Sequence, residues 1–165
     1  LLELGNDEVY YYTYALQPDW NHFDHPPMVG LLIRLSTFNL LLVNDITMRL
    51  GAIICSGLAA WLLYRTGDSL AHERTGWYAA LIYLTAVYSS IIAGLFIMPD
   101  SPQVLFWVWA LYLMARLIEQ DGKGNVLWLL LGLAIGLATL SKVHGWGSDA
   151  GRRSHPWRRW RLARS

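Results

Sequence analysis

Four stretches of this chain, at about 47–65, 77–98, 102–118 and 126–141, are nearly unbroken runs of apolar residues separated by short polar connections. A helix rises about 1.5 Å per residue, so crossing roughly 30 Å of hydrocarbon takes about 20 mostly apolar residues. The two shorter stretches reach across only with flanking residues or local bilayer thinning. Only 15% of the residues are charged and 55% are hydrophobic, whereas an ordinary water-soluble domain carries about 25% charge. The expected fold class is therefore all-α, a polytopic membrane helical bundle. A soluble enzyme, a disordered chain and a disulfide scaffold are excluded. The single cysteine, Cys55, has no intrachain partner and reads as a small buried apolar side chain.

A fifth apolar stretch, 28–43, is sixteen residues long and carries Arg34 and Asn39 near its middle. An arginine at the centre of a lipid-facing helix costs about 2.5–3.5 kcal/mol even on the lenient insertion scale. The stretch is expected to form an interfacial helix instead, with Arg34 reaching the headgroups. The connections 65–74 and 116–123 hold most of the basic residues before the tail, which assigns both to the cytoplasmic side. The division that follows is a 1–27 outer loop, acidic and aromatic, then a 28–43 interfacial helix, four transmembrane helices over 44–142 and a basic tail at 143–165. Segment 1–27, the turn near 98–103 and the end of the last helix then share one outer compartment.

The residues able to carry chemistry gather in that compartment. Asp7 and Glu8 are adjacent, tyrosines crowd positions 10–14, and Trp20, His22, Asp24 and His25 precede Pro26 and Pro27. A carboxylate pair beside an aromatic wall suits a general base next to rings that hold a sugar or isoprenoid face. The same residues also make a solvated acidic cap followed by an aromatic belt. Asp100 stands between Pro99 and Pro102 at a membrane boundary, where an ionisable group is a functional candidate and equally a good helix N-cap. Lys142 closes the last apolar run; it suits a lipid phosphate, or simply the negative end of its helix. Gly132 and Gly136, with Ala134 and Ala138, are expected to give the last helix a small-residue packing face. No nucleophile elbow, phosphate loop, dinucleotide fingerprint or zinc spacing is present, and two acids are too few ligands to imply a divalent cation.

Taken in order, these pieces resemble a family. Asp7, Glu8, Tyr10 and Tyr11, then His25-Pro26-Pro27 leading into an apolar helix, Arg49-Leu50 at the start of the next span, Pro99-Asp100-Ser101-Pro102, and the 136–142 run ending in Leu140-Ser141-Lys142 look like the N-terminal half of polyprenol-phosphate-sugar glycosyltransferases. These are bacterial relatives of dolichyl-phosphate-mannose protein mannosyltransferases and of the lipid A aminoarabinose transferase. The resemblance spans about residues 3–142. It implies a GT-C fold in a multi-pass protein of the bacterial inner membrane. A sugar would pass, with inversion, from a polyprenyl-phosphate donor to a glycan, lipid or protein acceptor on the periplasmic face. It further implies catalytic roles for Asp7, Glu8 and Asp100, with Tyr10, Tyr11, His25 and Lys142 meeting substrate. No metal is assigned, and the lipid-linked donor is the one small molecule implied. Membrane lipids are expected partners; nucleic acid is not.

The tail departs from this pattern. Residues 143–165 hold six arginines against the single Asp149, while residues 1–142 hold seven basic against eleven acidic residues. Six arginines on the outer face run against the positive-inside tendency. The expectation is a truncated or frameshifted fragment whose last residues are foreign to the family; the alternative is a native polybasic tail for anionic headgroups or nucleic acid. Two rivals to the transferase also stand. A transporter or flippase fragment would place its charges near mid-membrane on broken helices, and a passive membrane subunit would need none of them.

Overall fold

The computed structural model describes residues 5–18 and 26–142; His25, the cluster around it and the basic tail lie outside the described residues. All the regular structure among the described residues is helical: α1 (Asn6–Leu16), α2 (Met28–Ser36), α3 (Asp45–Leu70), α4 (Glu73–Thr85), a π-helical turn (Tyr88–Ile92), α5 (Asp100–Glu119) and α6 (Asn125–Ser141). The chain forms a partial helical membrane bundle. Helices α3 and α5 are long and apolar enough to cross a bilayer, while α6 is shorter at 17 residues.

Local chemistry sets the helix ends. Asn44 opens α3 by accepting the amides of Ile46 and Thr47 at 3.0 and 2.9 Å, and the Thr47 hydroxyl accepts the Asn44 amide in return. Pro99 and Pro102 frame the first turn of α5, where the missing proline N–H breaks no helical bond. That helix closes where the Gly122 amide reaches the Leu117 carbonyl, 2.8 Å away, with Gly122 at φ +72°. Between α3 and α4 the backbones nearly touch. A Cβ on Gly67 would stand 2.8 Å from the Gly76 Cα, so only glycine permits this hairpin.

Two expected helices are shorter than the apolar pattern suggested. The 28–43 stretch is helical only to Ser36. The Thr37 hydroxyl bonds back to the Ile33 carbonyl at 2.7 Å, and Phe38, Asn39 and Leu40 then take left-handed φ values of 51°, 56° and 68°, which no right-handed helix accommodates. The 77–98 stretch is broken at Ala86, whose extended backbone (φ −70°, ψ 127°) ends α4 before the π-helical turn. The Ser89 and Ser90 hydroxyls both donate to the Ala86 carbonyl, which also accepts the Ser90 amide at 3.0 Å. Apolar composition is blind to such breaks, because a turn buried in a bundle or facing lipid is as hydrophobic as the helices beside it.

Helix α3 is central, packing against α4 and α5, with α6 against α5 and α1 stacked on α2. One apolar core joins Tyr14 and Ala15 of α1 to Val29 and Ile33 of α2, Ala52 of α3 and Ile97; a second joins Leu113 and Leu117 to Leu131 and Ala134. The outward faces are also apolar: Trp61, Trp77, Ile82, Trp107, Leu129 and Ile135 are all exposed, as lipid-facing side chains should be. On α6 the expected small-residue face divides. Ala134 and Ala138 are buried, but Gly132 and Gly136 face open space. Residues two apart on a helix point about 200° apart, so the alanines and the glycines cannot share one face. The turn after α2 is a second outward apolar surface, with Leu35, Phe38, Leu41 and Leu42 exposed. Beside it Arg34 Nε is buried with no hydrogen-bond partner among the described residues.

Candidate active site

The chain order brings three helix ends together. Asp100 is the first residue of α5, Lys142 follows the last residue of α6, and Arg49 lies one turn into α3. Lys142 Nζ donates to both carboxylate oxygens of Asp100, at 2.8 and 3.1 Å, and the Tyr88 hydroxyl donates to the same Oδ1 at 2.6 Å. Pro99 occupies the N-cap of α5, so the Asp100 carboxylate serves side chains from two other segments and does not cap its own helix. Both charges remain partly accessible, with side-chain exposures of 28% for Lys142 and 13% for Asp100.

A second ion pair sits deeper. Arg49 Nε reaches Glu8 Oε1 at 2.9 Å and Arg49 Nη2 reaches Oε2 at 2.6 Å, the forked geometry that makes guanidinium and carboxylate such close partners. The Glu8 side chain is 1% exposed. It also accepts the Gly5 amide at 2.9 Å, closing the first turn of α1, and the Ile97 amide at 3.3 Å. Burial pushes the Glu8 carboxyl up, but the Arg49 hydrogen bond and the Gly5 and Ile97 amides outweigh it and hold the group below the usual carboxylate range. The Arg49 guanidinium lies over the Phe96 ring, 5.6 Å from its centroid.

Residues 96–101 connect the two pairs. Phe96 packs under Arg49, the Ile97 amide binds Glu8, and the Ser101 hydroxyl bonds back to the Phe96 carbonyl, fixing the turn that carries Asp100. Asp7, one residue before Glu8, is exposed on the first turn of α1. Along the same helix the rings of Tyr10, Tyr11 and Tyr14 meet edge to face at centroid distances of 5.3–5.7 Å, and the Tyr14 hydroxyl donates to that of Tyr10 at 3.1 Å. Tyr10 and Tyr11 thus form one aromatic wall, with Tyr10 exposed.

Of the residues singled out from the sequence, Asp100 and Lys142 meet directly, Glu8 is enclosed, Asp7 faces outward, and His25 lies outside the described residues. Arg49 entered the sequence reading only as part of a motif, and Tyr88 did not enter at all. The signal for Arg49 was available: an arginine inside an apolar run is rarely buried without an acid. Nothing comparable marked Tyr88, one tyrosine among nine. Among the described residues no group of three or more histidines, cysteines or acids gathers as a metal site.

The sequence model of the dolichyl-phosphate-mannose-protein mannosyltransferase family matches residues 24–146, a span that includes Arg49, Tyr88, Asp100 and Lys142 and begins after α1. No curated protein and no solved structure matches the chain.

Proposed function

Because the chain belongs to the dolichyl-phosphate-mannose-protein mannosyltransferase family, membrane glycosyltransferases of the GT-C type, we propose that it moves a sugar from a polyprenyl-phosphate donor to an acceptor hydroxyl or phosphate. The transfer takes place, with inversion, on the outer face of a bacterial inner membrane. The observation that carries this reading is the partly exposed Lys142 side chain at the end of the bundle, whose ammonium is held by Asp100, itself bonded by the Tyr88 hydroxyl. A lysine there is a compact point charge suited to a phosphate. Its location matters too. Asp100 and Lys142 stand at helix ends, which suits a lipid headgroup, whereas a transport path would favour charges on helices broken near mid-membrane.

The chemistry then follows from the leaving group. A polyprenyl phosphate departs as a stable anion, so the reaction needs a base for the acceptor and cations for the phosphate more than a strong acid. As the acceptor oxygen bonds to the anomeric carbon, the bond from that carbon to the phosphate oxygen breaks and its electron pair leaves with the phosphate. The acceptor proton passes to the exposed Asp7 carboxylate; a phosphate acceptor would need no such base. Lys142 exchanges Asp100 for the donor phosphate and stabilises the charge that collects there, with His25 as a second donor. Tyr10 and Tyr11 form a wall for the sugar or isoprenoid face. The lipid-linked sugar is a substrate, and the scheme draws on no separate organic cofactor. The test is transfer of radiolabel from defined polyprenyl-phosphate sugars by membranes containing the protein. Label should move to an acceptor with wild-type protein and fail to move with Lys142→Ala. Transbilayer movement of the labelled lipid without any new glycosidic bond would overturn the transferase.

A further inference from the structure

We propose that Glu8 is a positioning residue: paired with Arg49, it sets where Asp7 stands relative to the turn that carries Asp100, and takes no proton from substrate itself. The inference rests on the transferase reading and deepens it, because it divides two adjacent acids between chemistry and alignment.

Glu8 has no free acceptor capacity. A carboxylate has about four lone-pair sites. Glu8 fills four with Arg49 Nε, Arg49 Nη2, the Gly5 amide and the Ile97 amide. No site is left for an acceptor hydroxyl or a metal ion, and among the described residues the side chain is almost wholly buried. Asp7 is exposed on the same turn of α1. One member of the pair is therefore spent inside the protein while its neighbour faces out.

Glu8 ties the start of its own helix, through Gly5, to two segments distant in sequence: α3 through Arg49 and the approach to α5 through Ile97. Asp7 is one peptide unit from Glu8, and Asp100 is three residues beyond Ile97, with the Ser101 hydroxyl bonded to the Phe96 carbonyl across that gap. A chain of short, directional contacts thus runs from the outward acid to the acid that holds Lys142. The planar guanidinium fixes direction as well as distance, which a lysine at position 49 would not do. Misplacing reacting groups by about 1 Å costs up to roughly 100-fold in rate, so a device that fixes this spacing has a catalytic effect without touching substrate.

The test combines a distance and a rate in the full chain. Spin labels at Val9 and Trp107, both exposed, report the placement of α1 against α5 by pulsed electron resonance, with Cys55 replaced by alanine. The parent should give one narrow distance distribution. Glu8→Gln, whose amide oxygen can still accept a backbone N–H, and Arg49→Lys should each broaden or shift it, while Asp7→Asn should leave it unchanged. In transfer assays Glu8→Gln should lower kcat by about 10- to 100-fold yet keep the acid limb of the pH profile, which Asp7→Asn should remove. A Glu8→Gln protein with the parental distance distribution and no acid limb would make Glu8 the base and overturn the proposal. If the parent transfers no sugar, the transferase reading fails separately, and the distance measurement still decides whether Glu8 and Arg49 align the two segments.

Discussion

Lys142 Nζ lies within 3.1 Å of both carboxylate oxygens of Asp100, although the two residues are 42 positions apart, one just past the end of α6 and the other at the start of α5. The pair is neither fully buried nor freely exposed. A fully buried pair would be costly to open, and an exposed one would hold nothing in place. With its side chain 28% exposed, Lys142 would, in the proposed transfer, leave Asp100 for an incoming phosphate that offers the same kind of oxygen. On that proposal Asp100 would be a resting counter-ion that keeps Lys142 aimed before the donor binds.

Removing that cation should cost the reaction far more than the fold. Lys142→Ala is expected to reduce transfer by at least about 100-fold, the usual cost of losing one group that stabilises developing charge. Insertion and helical content should be unchanged, since the α6 contacts with α5 run through Leu131 and Ala134. Radiolabel transfer and circular dichroism on the same membranes check both halves.

Helices α3, α5 and α6 follow from apolar runs bounded by polar connections, and Asp100 and Lys142 stood out because each is a charge at the edge of such a run. Their meeting was not legible as a distance, because it depends on α5 and α6 packing antiparallel. The Glu8–Arg49 pairing spans 41 residues and depends on how α1 lies on the bundle, which no local pattern encodes. The breaks at 37–40 and at Ala86 were hidden for a different reason. Hydroxyls of Thr37, Ser89 and Ser90 stabilise them with backbone bonds, while most neighbouring side chains stay apolar.

Glu8 should make stability depend on acid. Its carboxyl is held below its ordinary value of about 4.5 in the folded protein, so the unfolded chain binds the proton more readily. The stabilisation is complete above the ordinary value and is lost as pH falls through the folded one. Thermal melts in detergent should therefore be flat between pH 7 and 5 from this group and fall below about pH 4.5. Glu8→Gln should melt lower at pH 7 and lose less on acidification; a steeper acid loss in the variant would contradict the assignment.

Glycine substitutions separate the tight contact from the open face. A Cβ on Gly30 would stand 2.8 Å from the Tyr14 carbonyl oxygen, a backbone atom that cannot swing away. Gly30→Ala is expected to destabilise the docking of α1 on α2 by about 1–3 kcal/mol, as overpacking generally does. Gly136→Ala meets nothing within 4 Å and should be neutral or stabilise α6 by up to about 1 kcal/mol through helix propensity. Limited proteolysis within α1 and a melting curve for each variant would read the difference.

Tyr88→Phe tests whether Asp100 is tuned as well as paired. The Tyr88 hydroxyl occupies part of the oxygen that Lys142 also uses, drawing charge away from the contact. Without it, Asp100 offers Lys142 a more concentrated negative charge and holds it harder, so a donor phosphate competes less well. A hydrogen bond contributes about 1 kcal/mol net, which corresponds to a donor KM raised by roughly 3- to 10-fold. The saturated rate should change less than KM, because the phosphate has displaced Asp100 by then. Equal loss in kcat with no change in donor KM would instead mean that Tyr88 acts on the reacting centre, and the resting counter-ion account of Asp100 would have to be abandoned.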